Sequence, residues 1–421
     1  MPTVPPLERR LGTVDATAIG LGSMLGAGAF AVFGPSAALA GPWLLLSLGL
    51  AGAVAYANAV ASAALASKYP SSGGTYVYGR KQLGEWPGFL AGWGFVTGKA
   101  ASCAAMALTF GVYVAPSYAA PLAVGAVVAL TGVNLAGITR TALVTKVLLG
   151  VVLAVLAFAI VVGIAGPPRG SSAAAVTALS GDGAGSPLGV LTAAGVLFFA
   201  FAGYARIATL GEEVRDPTRA IPRAILAALA GALAIYAVLA VVLTLRIPGL
   251  LPGAAAPIRE LAAPAGPWAE DIVRAGASAA CLGALLALIA GVGRTSLAMA
   301  REGDLPRALA RIGGPHSVPW AAELAVCAVV VALVLSGSLL TVVGFSSFGV
   351  LVYYAVANAS AFTLRERPVY CPRWLNAAGT TGCLVLAFTL PWASAVTMIV
   401  VLAAGTAVRA VVLTTRRRRA G

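Results

Sequence analysis

The residues best placed to do chemistry in this chain are backbone groups rather than side chains. Gly20-Leu-Gly22-Ser-Met-Leu-Gly26-Ala-Gly28 sets four glycines into nine positions at the middle of an apolar run. A later apolar run carries Phe198-Phe-Ala-Phe-Ala-Gly203-Tyr, with a glycine among bulky residues. Glycines in such runs allow close helix packing. They also permit helix breaks, which survive in lipid only where they line a cavity or a ligand. A half-helix beginning after Gly26 would turn free N–H groups and a positive dipole end toward an anion. Carbonyls freed near Ser23 and Met24 would accept hydrogen bonds from an ammonium group. One break could therefore read both ends of an α-amino acid, leaving side chains to read the rest.

The charged side chains within apolar runs are few. Lys99 lies near the middle of its run, in Phe95-Val-Thr-Gly-Lys99-Ala-Ala-Ser-Cys103. A charge at that depth costs roughly 2.5–3.5 kcal/mol on insertion scales and commonly marks a pathway. Lys99 is a candidate for proton coupling or for support of a substrate carboxylate; snorkelling or bonding to carbonyls are its structural alternatives. Lys146 is a second coupling candidate, nearer the end of its run. Arg206 and Glu212 are candidates for a gate. Arg206 could equally pair with Glu212, and Glu212 and Glu213 could brace loop arginines. Asp15 suits the start of a helix. No Asp or Glu falls securely at mid-run, so a cationic substrate would lack a counter-charge and would meet Lys99. A neutral amino acid fits better.

Other chemistries lack material. His316 is the one histidine, and Cys103, Cys281, Cys327, Cys371 and Cys383 show no paired spacing. That leaves no metal set, no cofactor and no catalytic cluster to expect, so an enzyme is disfavoured.

The elements that must position these residues are membrane helices. The 421 residues are 60% hydrophobic and 10% charged, which implies lipid as the solvent for most of the chain. Apolar runs fall at 13–40, 43–67, 85–115, 119–138, 142–166, 187–212, 222–247, 268–299, 318–336, 339–364, 374–391 and 393–413. Most reach the ~20 residues that a hydrocarbon core requires. Arg9 and Arg10 before the first run resemble a signal peptide, but the run ends at Gly41-Pro42 without a convincing cleavage site and reads as a first membrane helix. The net charge of +14 sits in short clusters between runs, which argues against nucleic acid. Lys and Arg concentrate in the even-numbered gaps and at both termini, which places those in the cytoplasm and the protein in the cell membrane. The two candidate breaks lie five runs apart, so two groups of five would run with opposite topology, as in secondary transporters.

Gly22-Ser-Met-Leu-Gly26-Ala-Gly28-Ala-Phe30 resembles the first-helix motif of the amino acid–polyamine–organocation transporters. Three further stretches resemble that family in order: Tyr69-Pro-Ser-Ser-Gly-Gly74-Thr-Tyr76-Val-Tyr78; Phe198 to Gly203 with Glu212-Glu-Val-Arg-Asp-Pro217-Thr-Arg-Ala-Ile-Pro222; and Arg294 through Arg301-Glu-Gly-Asp304-Leu-Pro306. The resemblance implies an all-α integral membrane fold of about twelve transmembrane helices, a LeuT-type 5+5 inverted repeat with helices 1 and 6 broken, plus two C-terminal helices. It implies substrate binding at Met24, Gly26, Ala27 and Gly28, an aromatic gate at Phe199, and unwinding at Ala202 and Gly203; Ser23 joins them from the carbonyl argument. The chain departs from the pattern at Ala27, where some members have a hydroxyl, and at Val152, where some proton-coupled members have lysine.

The expected organisation is a cytoplasmic N-terminus over 1–12, a first repeat over 13–166, a second over 187–364, helices 11 and 12 over 374–413 and a basic tail over 414–421. The expected function is secondary active transport of neutral amino acids by alternating access, with proton coupling or exchange. Sodium stays open as a coupling ion, and the sequence carries no mark of oligomeric state. An amino acid sensor on a transporter fold, an exporter or exchanger without proton coupling, and a channel are the rival readings.

Overall fold

The computed structural model describes residues 11–70, 73–137, 142–169, 185–210, 213–313 and 318–420, apart from the side chains of Ala142 and of 416–420. The helices, in chain order, are α1 (Thr13–Met24), α2 (Ala27–Ala31), α3 (Phe33–Ala40), α4 (Leu44–Lys68), α5 (Gly74–Leu83), α6 (Glu85–Val114), α7 (Ala119–Leu135) and α8 (Ala142–Ala165). The second part contains α9 (Pro187–Phe201), α10 (Ala205–Ala208), α11 (Pro217–Arg246), α12 (Pro257–Ala262), α13 (Pro267–Arg301), α14 (Trp320–Ser336), α15 (Leu339–Phe362), α16 (Arg373–Phe388) and α17 (Trp392–Ala420). Among the described residues there is no strand beyond isolated bridges such as Leu11 with Val214.

Among the described residues, ten helical stretches are long and apolar enough to cross a membrane, so the chain is a multi-pass membrane protein. Twelve runs were expected. The expected ninth and eleventh form shorter helices, α14 with 17 residues and α16 with 16. Both fall below the ~20 residues of an upright span.

Local chemistry sets many of the boundaries. Proline occupies the first position of α9, α11 and α13, where its missing N–H costs nothing. The Ser186 hydroxyl accepts from the Gly189 N–H and caps α9. Pro222 lies inside α11 and removes the bond that the Thr218 carbonyl would receive. Ser67 of α4 donates to that carbonyl at 3.0 Å, so the two helices are joined where the proline left an acceptor open.

The interior depends on small residues. A Cβ on Gly94 would lie 3.0 Å from the Gly349 carbonyl oxygen, and one on Gly98 3.1 Å from that of Ser346. α6 and α15 thus approach backbone to backbone, as dispersion-driven packing in lipid favours. Around that pair sit α4, α5, α13 and α16.

Both expected breaks are present. Helix ends at Met24 and resumes at Ala27, with Gly26 at φ −64° and ψ −128°, outside the helical region. α9 ends at Phe201 and gives way to a tight 3-10 turn over Ala202–Tyr204 before the short α10. The segments flanking the two broken helices are also tied together. The Leu11 N–H donates to the Glu213 carbonyl at 3.0 Å, and the Arg215 N–H to the Leu11 carbonyl at 2.8 Å.

Candidate functional site

The two breaks lie against each other. A Cβ on Gly203 would fall 2.6 Å from the Met24 nitrogen and from the Ser23 carbonyl carbon. One on Gly28 would fall 2.8 Å from the Ala200 Cα. Each glycine therefore admits the backbone of the opposite broken helix, which a larger residue could not do without moving main chain. Gly26 faces elsewhere, toward Ala284 of α13 and the Met106 side chain of α6. The breaks thus collect four elements: the first broken helix, the sixth run, α6 and α13.

Side chains from neighbouring helices take up the freed carbonyls. The Tyr236 hydroxyl of α11 lies 2.6 Å from the Met24 carbonyl oxygen and 3.1 Å from that of Ala200. One proton can serve only one of them at a time, so this hydroxyl is shared between the breaks. The Lys99 Nζ donates to the Ala202 carbonyl at 3.0 Å, and Lys99 is buried. The carbonyl alternative for Lys99 is thus realised, and its partner is the first residue of the unwound turn.

Most of the other expected site residues gather here. Met24, Ala27, Gly28, Phe199 and Ala202 are buried, whereas Ser23 and Gly203 are partly exposed. The Ser23 hydroxyl donates back to the Ile19 carbonyl at 2.7 Å and closes its own helix turn. Gly22 has open space where a Cβ would stand. Gly22 therefore borders open space, while Met24 and the residues Ala27 to Phe33 after the break are sealed in protein.

The remaining candidates lie toward the end of the bundle that bears the loop cations. Lys146 pairs with Asp15 at 2.7 Å, joining α8 to α1. Asp15 is nine residues before Met24, about 13 Å along a helix. Arg206 of α10 places Nη1 3.5 Å from the Thr209 hydroxyl and lies beside Gly291 of α13. Glu212, its expected partner, is outside the described residues.

Several residues had not been singled out from sequence. Tyr236 had no motif around it. Ser102 and Ser346 meet at 2.6 Å between α6 and α15. The Tyr353 hydroxyl accepts from the Thr75 N–H at 3.0 Å. At the basic end, Asp304 accepts from Tyr76, Arg80 and Arg409, each at 2.8 Å. Arg409 of α17 also lies over the rings of Trp86 and Phe89, at 4.5 and 5.0 Å. Burial, followed by the bond to Asp304, holds the Tyr76 phenol well above its ordinary titration range. Burial opposes the charge on Arg80, but the surrounding Tyr76, Asp304, Glu85 and Glu302 outweigh it and strengthen its hold on the proton. The Arg-Glu-Gly-Asp-Leu-Pro stretch marked that loop, yet nothing in sequence linked it to Arg409, 105 residues on.

The family model for amino acid permeases matches residues 15–415. The chain belongs to the amino acid permease family. Over 417 residues this permease is 54% identical to an uncharacterized transporter of Mycobacterium tuberculosis, covering 98% of this chain and 94% of that one. It is 26% identical to a branched-chain amino acid permease of Bacillus subtilis over 95% and 92% of the two chains. A human protein named cationic amino acid transporter 4 is 29% identical, with 85% of the permease and 60% of the human chain covered. This permease is therefore a transporter, and the family resemblance read from its motifs extends over nearly the whole chain.

Proposed function

We propose that the permease is a secondary active transporter of neutral amino acids, working by alternating access around the two breaks. The observation that carries this is the contact of Gly203 with the Ser23–Met24 backbone and of Gly28 with Ala200. It brings two interrupted helices together at one depth, the arrangement in which transporters hold substrate. The arrangement we favour is twelve spans, α14 and α16 being short, with repeats over 13–166 and 187–364, helices 11 and 12 over 374–413, and terminal segments 1–12 and 414–421. The cation distribution supports cytoplasmic termini and a cell-membrane location.

In this reading the N–H groups following Gly26 receive the substrate carboxylate, and the second lone pair of the Met24 carbonyl receives its ammonium. Ser23, Ala27, Gly28, Ala202 and Gly203 complete the enclosure, and Phe199 closes over it. Lys99, fixed on Ala202, disfavours a substrate with a cationic side chain. It is also the coupling candidate nearest the breaks, through its bond to Ala202. Lys146, engaged with Asp15, acts as a brace.

The test is an uptake screen of all amino acids in proteoliposomes, at two pH values, with and without sodium. Accumulation of neutral amino acids supports the reading. Binding without flux would indicate a sensor, and flux only against a counter-substrate an exchanger.

A further inference from the structure

Glu323 stands in the first turn of α14, and its side chain is buried against α13. A Cβ on Gly293 would lie 2.9 Å from the Glu323 Cγ, so the carboxyl-bearing chain lies flat on the backbone of α13. Its Oε2 is buried without a hydrogen-bond partner. A carboxylate in that position lacks the donors that burying its charge demands, whereas a protonated carboxyl carries no charge to compensate.

One charged neighbour can change this. Arg294 follows Gly293 directly, is exposed, and acts electrostatically on Glu323. It acts also on Arg206, which lies on the far side of α13 beside Gly291. Other elements packed on α14 are α6, α7 and the turn Arg307–Ala310. α7 has no ionisable residue, while α6 carries Glu85, Lys99, Cys103 and Tyr113, and the turn carries Arg307. α13 adds Glu270, Asp271, Arg274, Cys281 and Arg301. Of all these, Arg294 is the one whose charge bears on Glu323. Neither Arg294 nor Arg206 has a carboxylate within salt-bridge distance among the described residues.

We propose that the Glu323 carboxyl is a proton-binding site of the transport cycle, reached from the basic end of the bundle and switched by Arg294. This rests on the transporter reading above. With Arg294 turned to solvent, Glu323 holds a proton and packs neutrally on Gly293. With Arg294 swung onto α14, the carboxyl releases that proton to water at the basic end and the carboxylate pairs with the guanidinium. Arg206 connects this exchange to the substrate. It sits on α10, immediately past the unwound turn, and like charges repel. Movement of α10 toward α13 drives Arg294 to Glu323, and movement away lets it return.

The full-length protein is reconstituted in proteoliposomes of defined orientation, and uptake of alanine and leucine is followed while pH is varied on each side separately. Wild-type uptake is expected to depend on pH at the basic-end side. E323Q is expected to lose that dependence while keeping the dependence on pH at the opposite side, and to retain exchange between equal amino acid pools. R294Q removes the cation that favours the carboxylate, so its pH midpoint is expected to move upward. E323D, which keeps a titratable group, is expected to retain a pH dependence and decides the matter if E323Q does not fold. An unchanged profile in E323Q, a flat profile in E323D, or a wild type that transports without regard to basic-end pH overturns the assignment. A wild type that moves no amino acid under any condition overturns the transporter reading instead, and the assignment with it.

Discussion

The Lys99 ammonium donates to the Ala202 carbonyl at 3.0 Å, so the lysine of the third run is held by the first residue of the unwound turn in the sixth. The bond ties a group that can gain and lose a proton to a backbone whose conformation a transport cycle must change. Lys99→Met removes the donor and keeps the length of the chain. Uptake is expected to lose its dependence on pH at the side opposite the basic end while the protein still reaches the membrane. A dependence preserved at that side, measured in proteoliposomes, would refute the coupling role.

Tyr236 offers one proton to two carbonyls, Met24 and Ala200. Tyr236→Phe leaves both without it, in a site closed to water. The loss of a buried hydrogen bond of this kind costs about 1–3 kcal/mol. A lowered Tm in detergent is expected, with a larger loss of amino acid affinity than Tyr→Phe changes on the outer faces of the bundle produce. Unaltered affinity would show that the hydroxyl braces the breaks without shaping the site.

Gly203→Ala puts a methyl 2.6 Å from main-chain atoms of Ser23 and Met24, which cannot rotate away as a side chain can. Overpacking of this sort costs about 1–3 kcal/mol. Transport is expected to fall at least tenfold. The companion variant Gly22→Ala, where the added methyl meets nothing within 4 Å, is expected to fold as the wild type does. Equal behaviour of the two in thermal stability would remove the argument for close backbone contact.

Asp304 gathers Tyr76 and Arg80 of α5 and Arg409 of α17. Asp304→Asn leaves the buried Arg409 without its closest counter-ion, a change that costs about 3–5 kcal/mol when a buried pair is broken. A large Tm loss is expected, with α17 becoming accessible to protease. The pH response has a definite sign. Because folding raises the Tyr76 pKa above its ordinary value of 10.0, the folded state gains stability from the neutral phenol below that value and loses it as pH climbs beyond. Tyr76→Phe is therefore expected to flatten part of the alkaline decline in Tm above pH 10.0 and to leave the slope between pH 7 and 9 unchanged. An alkaline decline identical to the wild type would show that Tyr76 titrates as it does in the unfolded chain.

Neutral amino acids are expected to outcompete arginine and lysine at least tenfold for uptake, since Lys99 sits on the unwound turn. Lys99→Met is expected to narrow that preference. Tighter binding of arginine than of leucine by the wild type, measured by competition, would contradict the substrate class.

Local patterns were readable wherever the physics is local. Runs of apolar residues announce helices because lipid leaves the backbone no other way to satisfy its hydrogen bonds. Gly20 to Gly28 and Gly203 announced the breaks because glycine tolerates departures from the helix. Two expected spans came out as the shorter α14 and α16, since apolar composition continues past the residues that take helical conformation. Lys99 could be placed at mid-depth from its run alone, but whether it met water, substrate or a carbonyl could not.

The sequence by itself determined the solvent of this protein, the approximate number of its helices and the two points at which they break, because each follows from neighbours in the chain. Only the tertiary structure decided that Tyr236 would serve both breaks, that Lys99 would find Ala202, that Asp304 would hold Arg409, and that Glu323 would be buried beside Gly293. Those relationships join residues from different helices, and no periodicity along one helix encodes which face of another it will meet.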